Sequence, residues 1–218
     1  MKYKAVLFDM DGTVLNTLGD LTYAMNHTLG LFSLPGIDEE EMKHFLGNGA
    51  RYLVEHVLER CGRTDMTEEL LPVYMEYYEK RGAVETAPYE GITELFDRLS
   101  EAGAEPAIVS NKPDGAVQVL AKKFFKGYRA IGERPDVRRK PAPDMLLAML
   151  DEMDCGRENA VYIGDSEVDV ETAAAAGVPC IAVTWGFRSR EELADCGAET
   201  IVDSTDELKK MLLGDADV

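Results

Sequence analysis

Phe8-Asp9-Met10-Asp11-Gly12-Thr13 is the stretch that decides the reading of this chain. It closes a short apolar run, Tyr3-Lys4-Ala5-Val6-Leu7-Phe8, which has the character of a buried parallel strand. Two carboxylates follow where that strand ends, and Gly12 permits a tight turn. In open α/β sheets ligands bind outside the carboxyl ends of the strands, so Asp9 and Asp11 are delivered to the place where chemistry is expected. Carboxylates this close repel unless a cation lies between them or one holds a proton. Mg²⁺, a hard ion that prefers oxygen ligands, would resolve the conflict. Taken alone, Asp-Met-Asp-Gly is also what a polar turn after a strand looks like.

The rest of the chain bounds the possibilities. Its 218 residues suffice for one domain, or for a core with a smaller insert. A formal net charge of −18 disfavours nucleic acid and anionic lipid as partners. No apolar run is long enough to span a membrane, and Asp9 arrives before any leader-like segment develops, so a cytoplasmic protein with no membrane partner is expected. Cys61, Cys155, Cys180 and Cys196 lack C-x-x-C spacing and are expected to be reduced, mostly buried thiols. With His27, His44 and His56 equally scattered, zinc is not expected.

After Thr13 the pattern becomes helical, and from about Leu18 to Arg81 no strand is convincing. Leu21, Ala24, Met25, Thr28 and Leu29 share one helical face. Acidic residues Asp38 to Glu41 open a second helix, and Gly47-Asn48-Gly49 breaks the pattern before a third. Strands alternate with helices again from about Tyr89, with strands expected at Ala104 to Val109, Tyr128 to Gly132, Ala160 to Ile163, Pro179 to Thr184 and Glu199 to Val202. Ser110-Asn111-Lys112-Pro113 is expected as a loop. The fold class is therefore α/β, a doubly wound parallel sheet with an inserted α-helical cap: residues 1–14 and 87–218 form the core and 15–86 the cap.

Polar groups collect at the ends of separate strands: Asp9 with Asp11, then Ser110, then Lys140 on a loop, then Asp165 with Asp169. These ends share one edge of a parallel sheet. A nucleophile, a dication site and donors for phosphate oxygens are what phosphoryl transfer needs. Asp165 could equally cap the helix that follows it, and Lys140, beside Arg138 and Arg139, could equally decorate a solvated loop.

Asp-x-Asp-Gly-Thr, Ser-Asn-Lys, Lys-Pro-x-Pro and Gly-Asp-Ser-x-x-Asp, in this order, resemble the four motifs of the haloacid dehalogenase superfamily. The stretch Leu46 to Arg51, and Thr184-Trp185-Gly186-Phe187 with the basic and acidic residues after it, resemble its phosphoglycolate phosphatase branch. The resemblance implies Asp9 as nucleophile and Asp11 as general acid and then base. Mg²⁺ would be held by Asp9, Asp165 and the Asp11 backbone carbonyl, with Asp169 orienting the shell. Ser110, Asn111, Lys140 and Thr13 would serve the phosphate and its loop. Arg51 would reach the substrate from the cap, against the alternative of a helix-surface arginine. A small phosphorylated metabolite is the implied partner, 2-phosphoglycolate foremost, with the chain a monomer or homodimer.

Inorganic pyrophosphatase and phosphosugar mutase share this chemistry and stay open. A dehalogenase fits less well, because expelling halide needs no proton donor at Asp11. A phosphoaspartate signalling module would be much shorter and lack the insert, and a non-catalytic module would not need every polar position filled.

Overall fold

The structure, a computed structural model, describes residues 2–214. In chain order the elements are β1 (Ala5–Phe8), β2 (Leu15–Asn16), α1 (Leu18–Leu31), α2 (Glu39–Lys43), α3 (Gly49–Arg60), α4 (Thr67–Arg81), β3 (Ala87–Pro88) and α5 (Ile92–Glu101). There follow β4 (Glu105–Pro113), α6 (Asp114–Phe124), β5 (Arg129–Glu133), α7 (Asp144–Glu152), β6 (Ala160–Gly164), α8 (Glu167–Ala176), β7 (Cys180–Val183), α9 (Arg190–Asp195), β8 (Ile201–Val202) and α10 (Thr205–Leu213). The chain divides into two compact units, one of Met1–Leu15 and Pro88–Val218, the other of Asn16–Ala87. Among the described residues no helix is long and apolar enough to cross a membrane.

The first unit is built on a six-stranded sheet of order β5-β4-β1-β6-β7-β8, with every pair parallel. β1 lies between β4 and β6, and all four of its residues are buried, which explains why it reads as an unbroken apolar run. Side chains alternate between the two faces. Ala5 and Leu7 join Ala107, Val109 and Tyr162 against Met145, Leu146 and Met149 of α7 and Ala173 and Ala176 of α8. Phe8 packs at a tilt on Phe96, centroids 4.8 Å apart, and Phe96 likewise on Phe125 at 4.7 Å. Phe8 is level with Ile108 on one neighbour and Ile163 on the other, so the residues just beyond them share one sheet edge. That edge, where the strand order reverses around β1, is the crevice of a doubly wound sheet.

Two expectations need correction. Ser110 to Pro113 do not form a loop: β4 continues through them, and Pro113 pairs with Glu133 after a register shift that begins past Val109. The edge partner β5 keeps this segment extended, which apolar periodicity cannot anticipate in a polar stretch. The four cysteines are free, and each is half-buried rather than buried.

The second unit is helical. Leu21, Ala24, Met25, Thr28 and Leu29 of α1 are all buried. Asp38 caps α2 by accepting from the Glu41 N–H at 2.8 Å. Asp20 is fully buried and ties α1 to the end of the unit. Its Oδ1 accepts from Arg81 Nε at 2.9 Å, and its Oδ2 from the Glu85 N–H, the Thr86 N–H and the Thr86 hydroxyl. Burial pushes its carboxyl upward, but the bonds from Thr86, Arg81 and Glu85 outweigh this and hold it below the usual range. Asp20→Ala strands those donors in the interior and should cost about 3–5 kcal/mol, lowering the melting temperature of this unit by roughly 10 °C or more. Because the folded carboxyl is the stronger acid, its stabilisation is complete at neutral pH. It is lost as pH falls below about 4, so melts of wild type and variant should converge in acid.

Candidate active site

The loop after β1 is a tight turn. Val14 and Leu15 donate to the Met10 carbonyl at 3.1 and 2.9 Å, and the Gly12 N–H returns to Leu15 at 2.9 Å. Gly12 takes a φ of 87°, and a Cβ there would overlap the Asp165 carboxylate. A Cβ on Gly186 would strike the same carboxylate. Close backbone approach, rather than turn geometry alone, therefore requires both glycines.

Asp9, Asp165 and Asp169 converge: all three are buried, and each offers a carboxylate oxygen within 4.8 Å of the others. Lys140 stands among them at 1% exposure, its Nζ 2.8 Å from Asp9 Oδ1 and 2.7 Å from Asp169 Oδ1. Burial raises the Asp9 carboxyl to about 7 although Lys140 pulls it down, and Asp169 and Asp11 add to the rise. Burial, with Asp169 and Asp9, lifts Asp165 well above the usual carboxylate range, against the pull of the Phe187 N–H and the Thr13 hydroxyl. Lys140 is held protonated: burial works against its charge, and Asp169 and Asp9 overcome it. Once ionised, three carboxylates outnumber the one ammonium bonded to them by two charges, and a divalent cation with oxygen ligands fits that excess.

Each member is held in place. Asp165 Oδ1 accepts from the Thr13 hydroxyl at 2.9 Å and its Oδ2 from the Phe187 N–H at 2.8 Å, so each oxygen keeps accepting capacity. The N-cap of α8 is Ser166 and not Asp165, which removes the capping reading. Asp169 has both oxygens committed: Oδ1 to Lys140 and Tyr162, Oδ2 to the Ser166 N–H at 3.1 Å and hydroxyl at 2.6 Å. Asp169 is thereby suited to orienting others rather than to ligation. Ser110 is buried at the same edge, its Oγ accepting from the Lys112 N–H at 3.3 Å. Asn111 clamps the Lys140 backbone, donating to its carbonyl at 2.9 Å and accepting from its N–H at 2.8 Å. The Asp11 side chain lies outside the carboxylate cluster and pairs with Lys112, Nζ to Oδ2, at 2.9 Å. Arg51 belongs to the helical unit, where it grips Glu68 through two bonds of 2.7 and 3.2 Å.

Two participants, Tyr162 and Lys112, and the side-chain clamp that the expected Asn111 makes were not legible in the sequence. Tyr162 accepts from Lys140 Nζ at 2.9 Å, and its single hydrogen lies between Asp169 Oδ1 and the Val109 carbonyl. Nothing separates it from an ordinary strand tyrosine. The Asn111 clamp and the Lys112 pair depend on contacts 29 and 101 positions away in sequence (140 against 111, 112 against 11), and only the Ser-Asn-Lys triplet hinted at them.

Residues 6–183 match the family described as haloacid dehalogenase-like hydrolase. The chain belongs to this family. It is 33% identical over 210 residues to a phosphoglycolate phosphatase of Rhodospirillum rubrum, covering 92% of this chain and 87% of that one. It is also 33% identical over 219 residues to an N-acetylmuramic acid 6-phosphate phosphatase of Pseudomonas aeruginosa, covering 97% and 96%. Among solved structures, CbbY from Rhodobacter sphaeroides in complex with phosphate is 26% identical with a TM-score of 0.79, covering 94% of this chain and 96% of that one. Relatives of this kind make the chain a phosphatase of the family, with the family's α/β core.

Proposed function

We propose that this protein is a Mg²⁺-dependent phosphomonoesterase that works through a phosphoaspartate on Asp9, with 2-phosphoglycolate as its substrate. The observation that carries the reading is Asp9 itself: a buried carboxylate at a strand end, 2.8 Å from a buried lysine and beside two further carboxylates. Asp9, Asp165 and the Asp11 backbone carbonyl would hold Mg²⁺, with Asp169 orienting the shell. The bound ion supplies a Lewis acid for a phosphate oxygen and keeps Asp9 ionised.

An Asp9 oxygen attacks phosphorus, the ester P–O bond breaks, and the leaving alkoxide takes a proton from Asp11. Water then attacks the same phosphorus and gives its proton to Asp11. The bond to Asp9 breaks, restoring the carboxylate and releasing phosphate. Lys140 offsets charge between Asp9 and the phosphoryl oxygens, and Ser110 with the Asn111 N–H donates to those oxygens. Thr13 serves this arrangement through Asp165, which it holds at 2.9 Å.

The choice of substrate rests on the curated relatives, and both substrates in their names are phosphomonoesters that also carry a carboxylate. The helical unit is read as a cap that brings Arg51 to that carboxylate. Arg51→Ala should lower kcat/KM for 2-phosphoglycolate by roughly ten- to a hundredfold, and leave p-nitrophenyl phosphate, which lacks a carboxylate, nearly unchanged. Equal losses would return Arg51 to the helix surface. Phosphate release from 2-phosphoglycolate, N-acetylmuramic acid 6-phosphate, pyrophosphate and hexose phosphates tests the whole reading. The highest kcat/KM should fall on 2-phosphoglycolate, and a higher value for pyrophosphate or a hexose phosphate overturns the substrate.

A further inference from the structure

Lys112 has no part in the phosphate chemistry described so far, yet it is buried, with a side chain 4% exposed, and it faces the residue on which proton transfer depends. Its Nζ is 2.9 Å from Asp11 Oδ2. The other oxygen, Asp11 Oδ1, is buried and finds no hydrogen-bond donor among the described residues. The two oxygens are thus unequal: one is anchored by a cation, and the other is left for a partner outside the protein. The backbone that carries the anchor is tied on both sides: the Lys112 N–H donates to the Ser110 hydroxyl at 3.3 Å, and the next residue, Pro113, pairs with Glu133 of β5.

We propose that Lys112 is a positioning residue for Asp11, holding Oδ2 so that Oδ1 alone exchanges protons with the leaving oxygen and then with water. This rests on the phosphatase reading above. Lys112 is not asked to touch the substrate. Its effect is to keep Asp11 apart from the carboxylate cluster, where Asp9, Asp165 and Asp169 already carry an excess of negative charge. Released from Lys112, the Asp11 side chain can rotate, and a misplacement of the order of 1 Å costs about 100-fold in rate.

The two chemical steps depend on Asp11 to different degrees with p-nitrophenyl phosphate. Its leaving group departs without a proton, so phosphorylation of Asp9 needs little from Asp11, whereas attack by water still needs the base. Stopped-flow release of p-nitrophenolate with Mg²⁺ separates them. In Lys112→Met, which keeps the length of the side chain and removes its charge, a burst of one p-nitrophenolate per enzyme should appear at a rate within about threefold of wild type, followed by turnover roughly 100-fold slower. KM should change little. A turnover rate equal to wild type, or burst and turnover reduced together in folded protein, overturns the assignment. A second comparison holds even where Lys112→Met alone does not fold. In an Asp11→Asn background the charge pair is already gone, and adding Lys112→Met should cost no further turnover, because Lys112 acts through Asp11. A further tenfold loss there overturns the proposal. A wild type that releases nothing with Mg²⁺ overturns the phosphatase reading instead, and is told apart from the other results by the wild-type trace alone.

Discussion

Asp9→Asn should abolish turnover, with kcat reduced on the order of 10⁴-fold or more, and should leave the fold intact. The amide cannot form the covalent bond to phosphorus that the proposed mechanism requires. Loss of the fold is not expected, because the substitution conserves shape and removes a charge from a site already crowded with carboxylates. Burial lifts the Asp9 carboxyl to about 7, so the folded protein bears a cost for ionising it that asparagine does not. Lys140 keeps Asp169 at 2.7 Å as a counter-charge. The melting temperature should therefore equal or exceed that of wild type while activity disappears. Near wild-type turnover in folded Asp9→Asn would remove Asp9 as the nucleophile.

Lys140→Met should be damaging in a different way, to stability as well as to rate. Wild-type Lys140 is bonded to Asp9 and Asp169 of the cluster and is as buried as they are. Removing one side of a buried charge pair costs about 3–5 kcal/mol, because the other side stays behind without compensation. Turnover should fall by about 10²–10³-fold, the range for loss of a donor that stabilises transition-state charge. The site then carries one more uncompensated negative charge, so a dication should bind it more strongly. In thermal melts, millimolar Mg²⁺ should raise the melting temperature more for Lys140→Met than for wild type. An equal or smaller shift in the variant would place the metal away from these carboxylates.

The parts that were legible in the sequence are those set by local pattern. β1 showed because a strand buried on both faces must be apolar throughout, and Asp9 and Asp11 showed because they interrupt that run where the strand stops. Asp165 and Asp169 were visible in the same way after β6. Lys140 was ambiguous: Arg138 beside it is exposed while Lys140 is buried, and no property of the basic run distinguishes them. What separates them is the clamp from Asn111, a contact between a strand and a distant loop. Tyr162, Lys112 and the continuation of β4 were hidden for the same reason, since each is specified by a neighbour in space. The second unit repeats the lesson. The buried face of α1 follows from helical period, whereas the four bonds that Asp20 collects from Arg81, Glu85 and Thr86 span more than sixty residues and leave no local trace.

The central claim is that a phosphoryl group passes through Asp9, and its most direct test is to find that group. Asp11→Asn should form the phosphoenzyme from p-nitrophenyl phosphate and Mg²⁺ but hydrolyse it slowly, so that it accumulates. After an acid quench, peptide mass spectrometry should place one phosphoryl group on Asp9, and it should be missing when excess chelator replaces Mg²⁺. A phosphoryl group on any other residue, or none on folded protein that is releasing p-nitrophenolate, would contradict the account.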